Sequence, residues 1–289
     1  MLRNCNLKIK TIFSIVLLVS LALLLFTKEV PAQMKTIRIA MCQIFALDGD
    51  RSGNFVRIEN AIREAKDADA DIICFPETTI LGWVNPDAHK RAYPIPGKDS
   101  QRLCELAKKY ETYLCAGLAE KNGTNLYDSV ILIDNKGRIL LKHRKINILT
   151  ELMTPPYTPG KDVNTVETEF GKIGLLICAD TFEDEILKRM AALKPDLLLV
   201  PYGWAAEENE WPEFGKKLEN VVTEAARKTG APVVGTDLVG QITRGPWKDR
   251  VVGGQSVAAD KNGKTLAIAK DRDRDIKIAS IRIGSSQWK

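Results

Sequence analysis

The stretch KIGLLICADTFEDEILKRMAALKPDLLLVPYGW, residues 172–204, reads as strand, helix, strand. KIGLLIC and DLLLVPY are apolar almost throughout, as strands covered on both faces are. Between them FEDEILKRMAALK carries acids at its start and bases towards its end, the order that suits a helix dipole. Two buried strands joined through one helix pair in parallel, because parallel pairing needs a crossover of about this length. The same alternation runs outward in both directions. TIRIAMCQI (36–44) is a strand, Asn54 caps the helix FVRIENAIREAKDADA, and DIICFPE (71–77) is a short apolar strand. Residues 100–109 form a helix with Leu103, Leu106 and Ala107 inward. Residues 209–229 form a longer helix, followed by the strand APVVGTDLVG.

Three turns ask for antiparallel strands as well. Asn122-Gly123 joins YLCAGLAE to NLYDSVILID, and Asn135-Lys136-Gly137 leads into ILLKHRKINI. KNGK closes a hairpin between GGQSVAAD and TLAIA, before the last strand DIKIASIRI. A sandwich of two mixed sheets with helices outside satisfies both signals. No repeat or linker divides residues 36–284, which read as one α/β domain with a short tail at 285–289. Residues 78–98 and 149–164 are irregular and rich in proline, the character of functional loops.

Composition narrows the function. Apolar residues make up 45% of the 289 and charged residues 27%, which excludes a disordered or collagen-like chain and a polytopic membrane protein. A net charge of +5 spread over this length is too weak for a nucleic-acid partner. Two histidines, His89 and His143, nearly exclude a multi-histidine metal site and limit any Ser-His-Asp or Cys-His scheme to two candidate bases. GxGxxG, Walker A, HExxH, CxxC and GxSxG motifs are all absent. Residues 1–32 combine Arg3, Lys8 and Lys10 with the apolar run 11–26 and a break at Ala32. They read as a signal peptide, with an anchor through residues 11–26 as the alternative, so the body is expected outside the cytoplasm, periplasmic or extracellular. The body keeps Cys42, Cys74, Cys104, Cys115 and Cys178, an odd number.

Three polar residues close apolar strands: Glu77 ends DIICFPE, Lys145 ends ILLKHRK and Cys178 ends KIGLLIC. Ligands of α/β sheets gather at such strand ends. Acyl transfer by a thiol needs one residue of each type. The sulfur attacks a carbonyl carbon, a carboxylate moves the protons, and a fixed cation holds the oxyanion. The N–H of Ala179 would add a second donor to the oxyanion, and a helix starting near Phe182 would favour the thiolate if its N-terminus faces Cys178. Taken singly, these residues also read as a solvated carboxylate, an exposed lysine and a core thiol.

FPET (75–78), HRKIN (143–147) and ICAD (177–180) resemble, in order and separation, the three catalytic motifs of the nitrilase superfamily, the carbon–nitrogen hydrolases. YDSVILIDNKGRILLKHRK, YTPGKD, VPYGW and GGQSVAADKNGKTLA resemble landmarks of the same family, so the likeness covers residues 36–284. The resemblance implies an α-β-β-α sandwich that dimerises and uses no cofactor or metal. It implies Glu77 as general base, Lys145 as oxyanion holder, Cys178 as nucleophile and Glu151 as a second glutamate. Tyr202 and Trp204 are candidates for the substrate rim. The activity implied is hydrolysis of a linear amide or N-carbamoyl compound through a thioester. Nitrile hydrolysis, acyl transfer to an amine and a catalytically silent scaffold are the alternatives. Ala179 stands where relatives often carry a bulky residue, and residues 180–185 depart from the usual Asp-x-x-Phe-Pro-Glu, so the substrate is not carried over.

Overall fold

A computed structural model describes residues 34–284. The proposed leader and the tail 285–289 lie outside the described residues. The first half runs β1 (Met34–Gln43), α1 (Arg51–Asp67), β2 (Ile72–Cys74), the short α2 (Ala88–Arg91), α3 (Lys98–Lys109), β3 (Tyr113–Asn122), β4 (Asn125–Ile133) and β5 (Ile139–Arg144). The second half runs β6 (Thr165–Thr168), β7 (Gly171–Leu175), α4 (Asp184–Ala192), β8 (Leu197–Pro201), β9 (Ala205–Ala206), α5 (Glu213–Thr229) and β10 (Val233–Thr236). It closes with β11 (Val239–Gln241), β12 (Val251–Gly253), β13 (Val257–Ala259), β14 (Thr265–Ile268) and β15 (Asp275–Gly284).

Two six-stranded sheets result, in the orders β15-β1-β2-β3-β4-β5 and β14-β13-β10-β8-β7-β6. Each has a parallel trio at its centre, β1-β2-β3 in one and β7-β8-β10 in the other, with antiparallel strands outside. Strand alternation sorts the residues of the first sheet. Ile37, Ile39, Met41, Ile72, Val130 and Leu132 share a core with Ile173, Leu175 and Leu197 of the second sheet. Ala40, Cys42, Ile73, Leu114 and Ile131 turn the other way, onto Phe55, Ile58 and Ile62 of α1 and Leu103 of α3. On the far side, Leu187 and Met190 of α4 and Leu218, Val222 and Ala226 of α5 cover the second sheet. The four-layer sandwich expected from the sequence is therefore the observed architecture.

Two local readings change. Asp50, not Asn54, caps α1: its carboxylate accepts from the N–H of Gly53 at 3.0 Å, and the helix starts at Arg51. Asn54 is fully buried inside the first turn, donating to the carbonyls of Leu47 and Ile80 and accepting from the N–H of Leu47. It ties the helix to the loop after β2. The strands β9, β11 and β12 form a small third sheet from a Gly- and Pro-rich stretch. At two or three residues each, they are too short for alternation to reveal.

Candidate active site

The segment after β2 must cross β3 to carry Glu77 towards β5. Phe75 N donates to Cys115 O at 2.7 Å, Gly117 N to Pro76 O at 3.2 Å, and Thr79 N to Gly117 O at 3.1 Å. A Cβ on Gly117 would stand 2.6 Å from Pro76 O and 2.7 Å from Glu77 Cα, so only glycine permits this crossing. Lys145 follows β5 directly, its N–H donating to Asp128 O at 2.8 Å and its carbonyl accepting from Gly160 N at 2.7 Å. Side chains from the two strand ends then meet: Lys145 Nζ lies 2.6 Å from Glu77 Oε1 and 3.7 Å from Asp128 Oδ2. All three residues are buried.

Cys178 comes from the opposite sheet. It opens a five-residue 3₁₀ turn, Cys178–Phe182, with φ at +40°, a left-handed conformation that non-glycine residues seldom adopt. Thr181 Oγ1 holds the turn by donating to Cys178 O at 2.7 Å. Asp180 ties the turn to the segment bearing Lys145. Its Oδ1 accepts from Ile146 N and Asn147 N at 2.8 and 2.9 Å, and its Oδ2 from Ile177 N at 3.0 Å. The same Oδ2 lies 2.7 Å from Nε2 of His143. The Cys178 thiol, also buried, donates to Gly203 O at 3.7 Å. It lies within electrostatic reach of both Glu77 and Lys145.

Burial pushes the Cys178 thiol well above the ordinary thiol range. The charge of Glu77 adds to the rise, and Lys145 and the Gly203 hydrogen bond only partly offset it. The expectation of a thiolate held by a following helix is therefore corrected. A 3₁₀ turn intervenes, α4 begins only at Asp184, and its first turn carries the acids Asp184 and Glu185. Burial would pull the Lys145 ammonium down, but the charge of Glu77 and its hydrogen bond to the ammonium help carry it well above its usual value.

Glu77, Asp128, Lys145, Val84, Leu152 and Met153 are among the residues lining a cavity of about 10 Å³. That is room for about one water molecule. Tyr157, from the loop after β5, presents a buried hydroxyl without a hydrogen-bond partner to the same cavity. Asp128 and Tyr157 escaped the sequence reading. A carboxylate at a buried position of β4, in step with Val130 and Leu132, was the available signal for Asp128.

The other expected site residues are placed differently. Glu151 stands exposed on the 3₁₀ turn Thr150–Leu152, outside the buried group, while Leu152 and Met153 take the inward side. Ala179 is fully buried beside the thiol. Tyr202 is fully buried too, its hydroxyl 3.0 Å from Thr181 Oγ1 and its carbonyl accepting from Glu77 N at 3.2 Å. It braces the turn and the glutamate from below and does not line the cavity. Trp204 is half-buried; its indole N–H donates to Phe214 O at 3.0 Å and its ring packs on Phe182 and Phe214. The five described cysteines are all unpaired, and among the described residues no cluster of His, Cys, Asp and Glu has the makings of a metal site.

Comparison with known proteins agrees with this architecture. An amidase from Nesterenkonia sp. superposes with a TM-score of 0.75 at 19% identity, covering 88% of this chain and 93% of that one. A carbon-nitrogen hydrolase from Helicobacter pylori G27 gives 0.75 at 22% identity, covering 86% and 89%. By sequence, an omega-amidase of Mus musculus is 30% identical over 177 residues, 58% of this chain and 64% of that protein. A bifunctional nitrilase/nitrile hydratase of Nicotiana tabacum is 29% identical over 163 residues; the match spans only 47% of its length and 50% of this chain. An (R)-stereoselective amidase of Pseudomonas sp. is 27% identical over 231 residues, 80% of each chain. The family model described as carbon-nitrogen hydrolase matches residues 38–288, nearly the whole body. The chain belongs to the carbon-nitrogen hydrolase family.

Proposed function

We propose that this chain is a thiol hydrolase of small, uncharged amides. The observation that carries the reading is the convergence of Glu77, Lys145 and Cys178, from three distant segments and two sheets, on one buried site. In this reading Glu77 takes the proton of the Cys178 thiol as the sulfur attacks the carbonyl carbon. Lys145 holds the oxyanion. Collapse expels the amine, which receives the proton from Glu77, and leaves a thioester. Water then attacks with Glu77 again as base, the carboxylic acid departs and the thiol is restored. Because the resting sulfur keeps its proton, a base at hand is a requirement of the first step.

The cavity lining supports the substrate class. Cys178 is not among the lining residues, but beside Glu77 and Lys145 the side chains of Val84, Ile148, Leu149, Leu152, Met153 and Pro156 offer apolar contacts. Lys145 is the one cation among the lining residues, and Glu77 already engages it. A carboxylate on the substrate would find no free cation there, only the neutral Tyr157 hydroxyl. Ammonia release from propionamide and isobutyramide is expected to exceed release from an ω-amide acid, an N-carbamoyl amino acid or a nitrile by at least tenfold. Preference for the anionic amides would overturn the substrate assignment, and preference for the nitrile would make the chain a nitrilase.

Gly117→Ala tests the crossing that delivers Glu77. Its new Cβ would displace the backbone at Pro76 and Glu77, and a shift of about 1 Å in the base costs on the order of 10²-fold in rate. The expected result is that loss in kcat/KM with a folded far-ultraviolet spectrum; full activity would show that Glu77 tolerates relocation. We also propose export of the body, supported by the character of residues 1–32. The mass of the secreted chain reports whether the leader is removed.

A further inference from the structure

Two buried carboxyl groups face one ammonium. Lys145 Nζ is 2.6 Å from Glu77 Oε1 and 3.7 Å from Asp128 Oδ2. The other two oxygens, Glu77 Oε2 and Asp128 Oδ1, are buried without a hydrogen-bond partner among the described residues. Both residues line the same small cavity, and both are about 1% exposed. With both carboxyls ionised the trio would carry a net negative charge in a site nearly closed to water.

No neighbouring group relieves that charge. Asp180, packed behind from the 3₁₀ turn, is itself acidic and is taken up by His143 and the N–H groups of Ile146, Asn147 and Ile177. Tyr157, from the loop after β5, is held in its neutral form by burial and by Asp128 and Glu77. Cys178 keeps its proton for the same kind of reason, and Asp237, buried near it, adds a further acid. Two carboxyls that share one ammonium in a buried site do not both stay ionised; one retains a proton. Lys145 decides which. It touches Glu77 and stands off from Asp128, so the negative charge settles on Glu77 and the proton on Asp128. Burial, then the charge of Glu77 and a hydrogen bond with it, push the Asp128 carboxyl well above the carboxylate range, in agreement with the geometry.

We propose that Asp128 is a neutral carboxylic acid in the resting enzyme and that its O–H donates to Glu77, holding the glutamate ionised and aimed between Lys145 and Cys178. Asp128 is thus a positioning residue. Its place in catalysis rests on the reading of Glu77 as the base, and its protonation state does not. The arrangement has a chemical use. A neutral donor steadies the base without drawing on the lysine, so the ammonium keeps capacity for the oxyanion.

Two variants separate the possibilities. Asp128→Asn replaces the acid with a neutral donor of the same size. It is expected to keep kcat/KM on the best neutral amide within tenfold of wild type, with the acidic limb of the pH profile unmoved. Asp128→Ala removes the donor, and its acidic limb is expected to move to higher pH, because the ionised form of Glu77 loses its hydrogen bond. Difference infrared spectroscopy of wild type against Asp128→Asn is expected to show a protonated carboxyl C=O band at neutral pH only in the wild type. Absence of that band overturns the proposal, as does a loss above tenfold or an acidic limb moved to lower pH in Asp128→Asn. The infrared result stands even if Asp128→Ala fails to fold. Glu77→Gln assayed in parallel keeps the two claims apart: if it retains turnover, the reading of Glu77 as base fails, whatever Asp128 does.

Discussion

In Cys178→Ala, hydrolysis of every amide that the wild type turns over is expected to fall to background, a loss on the order of 10⁶-fold. The reason is specific to this site. Lys145 is engaged by Glu77, and the carboxyls are placed to move protons, so no second nucleophile stands ready to form an acyl intermediate. Removal of one buried sulfur costs about 1 kcal/mol of stability, so the variant should melt close to wild type. Unchanged melting with lost turnover separates chemistry from folding; retained turnover would remove Cys178 from the mechanism. The intact thiol gives a companion result in its pH dependence. Burial and Glu77 disfavour the anion, so the protonated form persists to higher pH than in a free cysteine. The rate of iodoacetamide alkylation at Cys178 should therefore keep climbing beyond about pH 8.5, where an ordinary thiol is half ionised. A plateau below that pH would show a thiolate already formed at rest.

Lys145→Ala is expected to damage both rate and stability. Loss of the oxyanion partner lowers kcat by on the order of 10²–10³-fold. It also leaves Glu77 and Asp128 facing each other in a buried site without a cation, and breaking a buried ion pair in this way costs about 3–5 kcal/mol. The sign of the pH effect follows. With the lysine gone, the folded-state pKa of a buried carboxyl lies above its unfolded value. The protonated, neutral form is cheap to bury, so the stability deficit is smallest at acid pH and grows as pH rises through the unfolded value of about 4 and beyond. Urea denaturation of both proteins at pH 5 and pH 8 should show the wider gap at pH 8. A gap independent of pH would mean that solvent reaches the carboxyls, contrary to their burial.

Much of the fold was legible because its long elements follow simple periods. KIGLLIC and DLLLVPY announced buried strands, and the strands after the Asn122-Gly123 and KNGK turns announced antiparallel pairs. Glu77, Lys145 and Cys178 interrupt apolar runs at strand ends, but singly each had an ordinary structural reading, and it was the resemblance of FPET, HRKIN and ICAD to family motifs that singled them out. What escaped was tertiary. Asp128 lies inside a strand, where a single acid looks like an outward position until β4 is seen to bury it. Glu151 was implied by the family resemblance, as the glutamate between Lys145 and Pro159-Gly160, but a resemblance along an irregular loop does not say which side chain turns in, and this one is exposed. Asn54 fits a helix cap by type, but Asp50 occupied that position first.

Asp180 joins two otherwise remote stretches of chain through a single carboxylate. A substitution at 143–147 that moves the lysine will therefore also turn the sulfur, and one at 177–180 will be felt by the lysine. Neither stretch is an independent module. Transplanted alone into a related scaffold, either would arrive without the groups that fix its angle. The smallest portable unit of this site is the two stretches carried together.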